Sequence, residues 1–268
     1  MSDQPTTTEA VTGADLRPVL ALAVLVVAVP LMVGLSLVFA LLPGPWWLGI
    51  PLGLLIAAAV VAVRVANADR TVLSGLGGGL HNPDDGIRLT NMVQGLSLAG
   101  GVVEPELVVL NDDARNAMAV RNRGRNHLVV TQGLLAELEV VELEGLVAEL
   151  LSRLRNGDAE AATVGAALFG RPILDGPLAP ILGPLARAAL DRLLSEHRDL
   201  EADRQAVSLT RYPPGLLGAL SKIAAGSARP GADAAGLAHL WLVDPRPAAE
   251  GQSSRAPLDL RIDILAEL

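Results

Sequence analysis

The chain has 268 residues, a formal net charge of −8 and no cysteine. This length allows one substantial core with appendages, and the acidic balance argues against a nucleic-acid-binding protein. Without cysteine there is no disulfide signal to indicate a compartment. The mean hydropathy of +0.43 is high for a soluble protein, and an apolar N-terminal region is its source.

A long apolar run begins close to the N-terminus. No residue from Pro18 to Val63 carries a charge, whereas about 20 apolar residues suffice to cross a bilayer once. Pro43-Gly44-Pro45 interrupts the run, and Trp46 and Trp47 beside it are typical of interfacial anchors. The pattern predicts a transmembrane hairpin over residues 18–66, with spans at about 19–42 and 46–65.

The polar residues 1–17 are predicted to form a disordered tail. A cleaved signal peptide is the alternative, but this tail has more acidic than basic residues and the apolar run is too long. Arg64 and Arg70 follow the second span, and the turn between the spans contains no Lys or Arg. This asymmetry favours a cytoplasmic location for both termini and for the globular part.

Residues 67–85 are predicted to be a glycine-rich linker. A phosphate-cradling loop is the alternative, although no Lys-Ser/Thr follows the glycines and no clear strand precedes them. Helical spacing of apolar residues predicts a helix from about Leu89 to Ala99, ended by Gly100-Gly101. Three β-rich runs then predict a small sheet, at about 106–110, 116–120 and 127–131.

A helix at about 142–155 is predicted from a continuous apolar stripe that includes Leu150. An amphipathic helix with nothing to catalyse is therefore a sufficient explanation of that leucine. Glu149 and Arg153 are four residues apart with the acid first, the favourable order for a helical ion pair. On an exposed face such a pair is worth only a few tenths of a kcal/mol, by general experience about 0.3–0.5.

Five sequence segments in the last two thirds of the chain carry a further pattern. They are Val108–Leu110 with Arg115–Ala119, Val129–Leu135, Ala148 with Asn156–Asp158, Arg198–Asp203, and Arg255–Leu258 with Arg261-Ile262. In this order they resemble the P-N-A-F-A, V-x-V-T-x-G-L-L, A-H-E-x-x-H-x-x-N-G-D, R-E-x-x-A-D and H-P-P-L-x-x-R-I segments of the HtpX-type integral-membrane metallopeptidases. That family also contains the CAAX prenyl proteases. The resemblance implies an α+β, mainly helical chain in which a transmembrane hairpin precedes a zincin-like metallopeptidase-type domain with a small β-sheet, here residues 86–268.

The resemblance places residues without zinc chemistry at the zinc positions. In zincins two histidines of His-Glu-x-x-His bind Zn²⁺ and the glutamate activates water. Here the ligand positions hold Glu149, Arg153 and Asp199, and the general-base position holds Leu150. Leucine accepts no proton and arginine repels a dication, so no catalytic residue and no cofactor are expected. Zinc is expected only if the chain is an active endopeptidase after all.

The three former ligand positions are expected to meet in the fold that the resemblance implies. The guanidinium of Arg153 would then bridge Glu149 and Asp199 in place of the metal ion. Asp158 and Asp203 match acidic positions that support the site in the family, or else serve as a local cap or ion-pair partner. His197 and Glu201, four residues apart, are the nearest approach to a displaced metal site, although neither matches a family ligand.

Residues 159–187 are predicted to be a proline-rich apolar insert. Family members commonly carry two further spans here, but charged residues and four prolines interrupt this stretch and no full span fits. The insert is expected either to dock onto the bilayer or the hairpin, or to be a cytosolic linker packed on the domain.

Together these features predict a multi-pass protein of the bacterial plasma membrane with a cytoplasmic, catalytically inactive pseudoprotease domain. It would bind an extended polypeptide or another membrane protein by strand addition, besides the lipid bilayer, and no nucleic acid. The edge segment for this binding is, by resemblance, Asn116, Ala117, Met118 and Ala119. The alternatives are an active zinc metalloendopeptidase acting on membrane proteins and a structural subunit of a membrane complex, which exposed apolar patches on the domain would favour. The sequence does not indicate the oligomeric state.

Overall fold

The structure is a computed structural model. It describes residues 17–42, 45–76, 80–81, 87–170, 196–226, 230, 236–245 and 256–268, with 180, 183–184, 186–188 and 190. The predicted tail therefore lies almost wholly outside the described residues. The fold is mainly helical, with two long N-terminal helices and one small sheet, as the sequence predicts.

Two long helices form the predicted hairpin. Helix α1 covers Arg17–Leu41, and α2 covers Gly49–Ala66 after the 3-10 turn Trp46–Leu48. Segments Leu20–Leu41 and Trp46–Ala66 are long and apolar enough to cross a membrane. Many of their large apolar side chains are exposed, as expected of helices surrounded by lipid rather than by protein.

Small residues allow the two helices to approach closely. Gly49, Gly53, Ala57 and Val61 recur every four residues and form the buried face of α2. A Cβ atom added to Gly53 would lie 2.7 Å from the backbone nitrogen of Met32 in α1. The α2 backbone thus packs directly against the α1 backbone, as is common between membrane helices.

The predicted glycine-rich linker over 67–85 is wrong in its first half. Helix α3, Ala68–Gly75, follows α2 after one residue. Ala68, Val72 and Leu76 are buried at helical spacing, and α3 packs against the domain. This short apolar stripe favours a helix more strongly than the nearby glycines disfavour one. The rest of the predicted linker holds strand β1, Leu80–His81, and otherwise lies outside the described residues.

The domain contains the predicted small sheet, with strands β2 at Glu106–Leu110, β3 at Ala117–Asn122 and β4 at Arg125–Thr131. The strand order is β1-β2-β4-β3; β2 and β4 are parallel and the other pairs are antiparallel. A two-residue turn joins β3 to β4, and both Arg123 and Gly124 have positive φ, 51° and 84°. Such turns match the twist of the strands they join, so the chain reverses directly after β3 and β4 pairs with it. In the strand order β3 is an edge strand.

Helices cover the sheet and form most of the domain. They are α4 Ile87–Gly100, α5 Gln132–Glu137, α6 Val140–Arg155, α7 Asp158–Phe169, α8 Glu196–Thr210, α9 Pro213–Ala224 and α10 Leu258–Ala266, with a 3-10 turn at Ala238–Leu240. Helix α6 is the predicted helix of 142–155 and packs against α4, α7, α8, α9 and β3. Its N-terminus is fixed by a capping box between Glu139 and Glu142.

The predicted proline-rich insert over 159–187 begins as core instead. Every residue of α7 from Ala161 to Phe169 is buried. The alanines and glycines of this segment make it look like an apolar connection, but small side chains are what let a helix pack closely on its neighbours. Of residues 171–195 the structure describes only a few isolated positions, so the rest of the insert prediction lies outside the described residues.

Candidate functional site

One turn of α6 contributes an acid and a base to the centre of the domain. Glu149 is completely buried, and Arg153 lies one turn later on the same face with its side chain 13% exposed. The Arg153 Nε and Nη2 atoms lie 2.7 and 2.6 Å from Glu149 Oε1. The pair is therefore buried, unlike the exposed i,i+4 pair that the sequence alone would suggest.

Helix α8 supplies the second carboxylate. Asp199 is buried, and Arg153 Nη2 donates to its Oδ1 atom at 2.7 Å. The predicted bridge is present, since one guanidinium joins carboxylates from two helices. Glu149, Arg153 and Asp199 are thus brought together as the resemblance implies.

Helix α10 contributes a second guanidinium, which the sequence analysis did not assign to the site. Arg261 is 2% exposed and donates to both Asp203 oxygens, from Nε at 2.8 Å and from Nη2 at 2.7 Å. Its Nη2 also donates to Glu149 Oε1 at 3.2 Å. The available signal was the match of Arg261-Ile262 to the R-I of the family's last segment.

The five side chains form one cluster, here called the arginine-carboxylate cluster: Glu149, Arg153, Asp199, Asp203 and Arg261. Three carboxylates face two guanidiniums in a nearly water-free position. Each ion is costly to bury alone, and the charge-assisted hydrogen bonds offset that cost.

Burial and neighbouring charge act in opposite directions on the pKa values of the cluster. Desolvation raises the pKa of Glu149 despite the two nearby guanidiniums. Burial alone would lower the pKa of Arg153, but the Glu149 and Asp199 carboxylates outweigh it and raise that pKa. Arg153 therefore stays charged, whereas burial favours the protonated form of Glu149. Its Oε2 atom has no hydrogen-bond partner within the described part of the chain.

Asp158, at the start of α7, forms a half-buried ion pair with Arg198 beside the cluster. Burial raises the pKa of Asp158 and lowers the pKa of Arg198, while each partner opposes the shift of the other. Asp203 instead pairs with Arg261 inside the cluster. The two acids predicted to support the site are thus both structural ion-pair partners, one at its border and one within it.

The residues at the positions that correspond to zinc ligands by resemblance do not fit zinc. Leu150 is fully buried within the apolar core, and its side chain has no group that could accept a proton from water. Arg153 lies between the two carboxylates that a dication would need, and it remains protonated. His197 and Glu201 are exposed on α8. Across the described ranges, no group of three or more His, Cys, Asp or Glu side chains is arranged to hold a metal ion.

The predicted edge segment, Asn116–Ala119, lies at the edge of the sheet, but it is buried and already paired. Met118 forms an antiparallel bridge with Trp241, and the Leu242 N–H donates to the Ala117 carbonyl at 2.6 Å. This edge is therefore occupied within the chain itself, by residues 241–243, and binding of another polypeptide there stays a prediction.

The Asn116 side chain binds the backbone of this covering segment, residues 241–243, through both a donor and an acceptor. Its Nδ2 atom donates to the Val243 carbonyl at 2.7 Å, and its Oδ1 atom accepts from the Val243 N–H at 3.2 Å. Arg261 Nη1 donates to the Leu242 carbonyl at 3.2 Å. The arginine-carboxylate cluster and the covered edge are consequently one connected hydrogen-bonded unit.

Comparison with known proteins supports the resemblance. No protein-family model matches the chain. Proteins named "Protease HtpX homolog" from Dictyoglomus turgidum and Dictyoglomus thermophilum are 35% and 32% identical to it, over 51% and 59% of this chain and 53% and 60% of their own lengths. The homologue from Limosilactobacillus fermentum is 28% identical over 82% of this chain and 86% of its own length. The chain thus resembles the HtpX-type membrane metallopeptidases, while its alignment to the first two relatives spans little more than half of each.

Proposed function

We propose that this chain is a catalytically inactive homologue of HtpX-type proteases that acts as a regulatory or scaffold protein at the membrane. The observation that carries the proposal is the Arg153 guanidinium between Glu149 and Asp199, at the positions of two zinc ligands by resemblance. A fixed cation there repels Zn²⁺ and consumes the carboxylates that would bind it. With Leu150 at the base position, that position offers no group to activate water.

The proposal includes an orientation. The domain lies on the cytoplasmic side of the plasma membrane and both spans cross it. Arg64 near the domain end of α2 and Arg70 on α3, with no Lys or Arg in the turn between the spans, support this orientation.

A surface role is favoured over groove binding because the edge strand is covered by residues 241–243. The domain also exposes a small apolar patch of Val140, Val141 and Tyr212, which are 49%, 45% and 50% exposed. Val141 and Tyr212 both lie beside Gly215. This patch favours the structural-subunit role as a second candidate function.

Metal content tests the proposal directly. The detergent-purified full chain is compared by elemental analysis with a variant carrying Glu149→His, Leu150→Glu and Arg153→His, both incubated with zinc. We expect the native chain to retain no zinc and the triple variant to bind about one ion per chain. Leu150→Glu alone is the matched control and should retain none, because it restores the base without the ligands.

Two results would contradict the proposal. Stoichiometric zinc in the native chain would favour an active endopeptidase with other ligands. Failure of a folded triple variant to bind zinc would show that these positions do not form the family's metal site.

A further inference from the structure

A groove runs along α2 and α3 on the outside of the molecule. It has a volume of about 690 Å³. Its lining is apolar at one end, with Leu55, Ile56, Ala59, Val60 and Val63, and polar at the other, with Arg64, Asn67 and Thr71. The groove is therefore amphiphilic along its length.

The change from apolar to polar lining coincides with the end of the membrane span. The span of α2 ends at Ala66. The apolar lining extends from Leu55 to Val63, eight residues later, which is about 12 Å of helix at a rise of about 1.5 Å per residue. One leaflet contributes about half of a hydrocarbon core roughly 30 Å thick. The apolar part of the groove thus covers most of the depth of one leaflet, where a lipid acyl chain lies.

The polar end is held in place by contacts with the domain and within the helices. Arg64 Nη1 donates to the Ala167 carbonyl of α7 at 3.4 Å. The Asn67 amide donates to the Val63 carbonyl at 2.9 Å, and the Thr71 hydroxyl donates to the Asn67 carbonyl at 3.0 Å. A guanidinium has five N–H donors, so a half-buried Arg64 fixed by one of them keeps donors for a phosphate.

Further cations lie at the same level of the molecule. The Asn122 and Arg125 side chains each donate to the Ala66 carbonyl at 3.2 Å, so the β3–β4 turn meets the end of the span. Arg123 at the tip of that turn is exposed, and so is Arg70 on α3. Arg125 is paired with Asp69 at 2.7 Å, so Arg64, Arg70 and Arg123 are the cations that this boundary presents, in a chain whose net charge is −8. Negatively charged headgroups are attracted to such a surface.

We propose that the α2–α3 groove binds one anionic phospholipid, with an acyl chain along Leu55–Val63 and the headgroup phosphate at Arg64 and Asn67. The apolar lining of the groove accounts for binding of the acyl chain. The positive charge at its polar end accounts for the choice of an anionic lipid. This site is independent of the arginine-carboxylate cluster and of whether the domain is catalytic.

Native mass spectrometry of the full chain in detergent tests this site, using phosphatidylglycerol and phosphatidylcholine with identical acyl chains. We expect one phosphatidylglycerol to be retained preferentially, and Arg64→Gln to weaken its retention about tenfold, since a charge-assisted hydrogen bond is lost. Arg204→Gln, which removes an exposed cation of α8, is the matched control and should have no effect. Ala59→Phe should weaken retention of either lipid, because it fills the apolar part without changing the charge.

Three outcomes would overturn the proposal: equal retention of the two lipids, unchanged retention after Arg64→Gln, or a protein dimer whose formation is blocked by Ala59→Phe. The last would assign the groove to a second copy of the chain. Circular dichroism of each variant establishes that it is folded before lipid binding is compared.

Discussion

Arg153 occupies a position where an ordinary surface arginine would contribute little. Exposed ion pairs are worth at most about 1 kcal/mol, because water and salt screen them. Arg153, in contrast, joins two buried carboxylates from different helices at 2.6 to 2.7 Å. Removing one partner of a buried pair leaves an uncompensated charge in a low-dielectric environment, so the effect of substitution is much larger than at the surface.

We expect Arg153→Met to lower the free energy of unfolding by about 3–5 kcal/mol, because Glu149 and Asp199 lose their shared cation. Chemical denaturation in detergent, followed by circular dichroism, measures this difference. Arg155→Met is the control. Arg155 is exposed and contacts only Gln205 among the described side chains, so its loss should change stability by no more than about 0.5 kcal/mol. Equal effects of the two substitutions would contradict a buried role for Arg153.

Glu149 and Asp69 should affect the pH dependence of stability in opposite ways. Burial raises the folded-state pKa of Glu149 above 4.5, so its contribution is fully present below that pH and is lost as pH rises through the raised pKa. For Asp69, burial would raise the pKa, but hydrogen bonds from Asn122 and Arg125 lower it below 3.8. The contribution of Asp69 is therefore present above pH 3.8 and is lost as pH falls through the lowered pKa.

The measurement compares the free energy of unfolding of the native chain with Glu149→Gln and with Asp69→Asn between about pH 3 and pH 8. The stability difference, variant minus native, should increase with pH above 4.5 for Glu149→Gln. For Asp69→Asn it should become less negative as pH falls below 3.8. Parallel pH curves for the native chain and Glu149→Gln would show that Glu149 ionises as in the unfolded chain.

At the level of elements, the sequence predicts those parts whose signal is local. The apolar run gives both spans, the period of 3.6 gives α6, and short β-rich runs give the sheet. The sequence does not predict helices α3 and α7. The apolar stripe of α3 is short and that of α7 consists mostly of small residues, so each helix depends on packing against other elements. The two-residue turn at Arg123-Gly124 is missed too, since an arginine with positive φ has no clear sequence signal.

Part of the candidate site is likewise predicted from the sequence, and part is seen only in the structure. Glu149, Arg153 and Asp199 are predicted to meet because the resemblance supplies the fold. Arg261 and the pairing of residues 241–243 with the edge strand are contacts between segments far apart in the chain. No periodicity or local motif specifies such contacts, so the covered edge appears only in the structure.

The membrane hairpin allows a prediction about its own packing. Gly53→Ala places a methyl group 2.7 Å from the Met32 backbone nitrogen, so α1 and α2 must separate. Gly34→Ala is the matched control, because a Cβ there meets nothing within 4 Å in the described structure. We expect Gly53→Ala to lower the thermal stability in detergent by several degrees and Gly34→Ala to leave it unchanged or raise it slightly. Equal responses would mean that the helices do not pack through this face.

At the scale of the whole molecule, the covered edge and the arginine-carboxylate cluster stabilise one another. Arg261 holds the Leu242 carbonyl and two carboxylates at once, while Asn116 holds Val243 from the opposite side. Trp241 and Leu242 are completely buried, so releasing residues 241–243 would also expose apolar surface. The sheet edge is therefore covered by the domain itself, and we expect partners to bind the outer surface of the domain.

Hydrogen exchange tests this closure. Asn116→Ala removes both side-chain contacts to Val243 and should accelerate exchange of the Leu242 and Val243 amides about tenfold, as local opening of residues 241–243 becomes easier by roughly 1–2 kcal/mol. Asn126→Ala is the control. It removes a side-chain hydrogen bond of 2.9 Å to the Val103 carbonyl near the β3–β4 turn, and should leave these amides unaffected. Unchanged exchange in Asn116→Ala would mean that apolar burial alone keeps residues 241–243 in place. Faster exchange throughout the domain would mean that residues 241–243 open only when the whole domain unfolds.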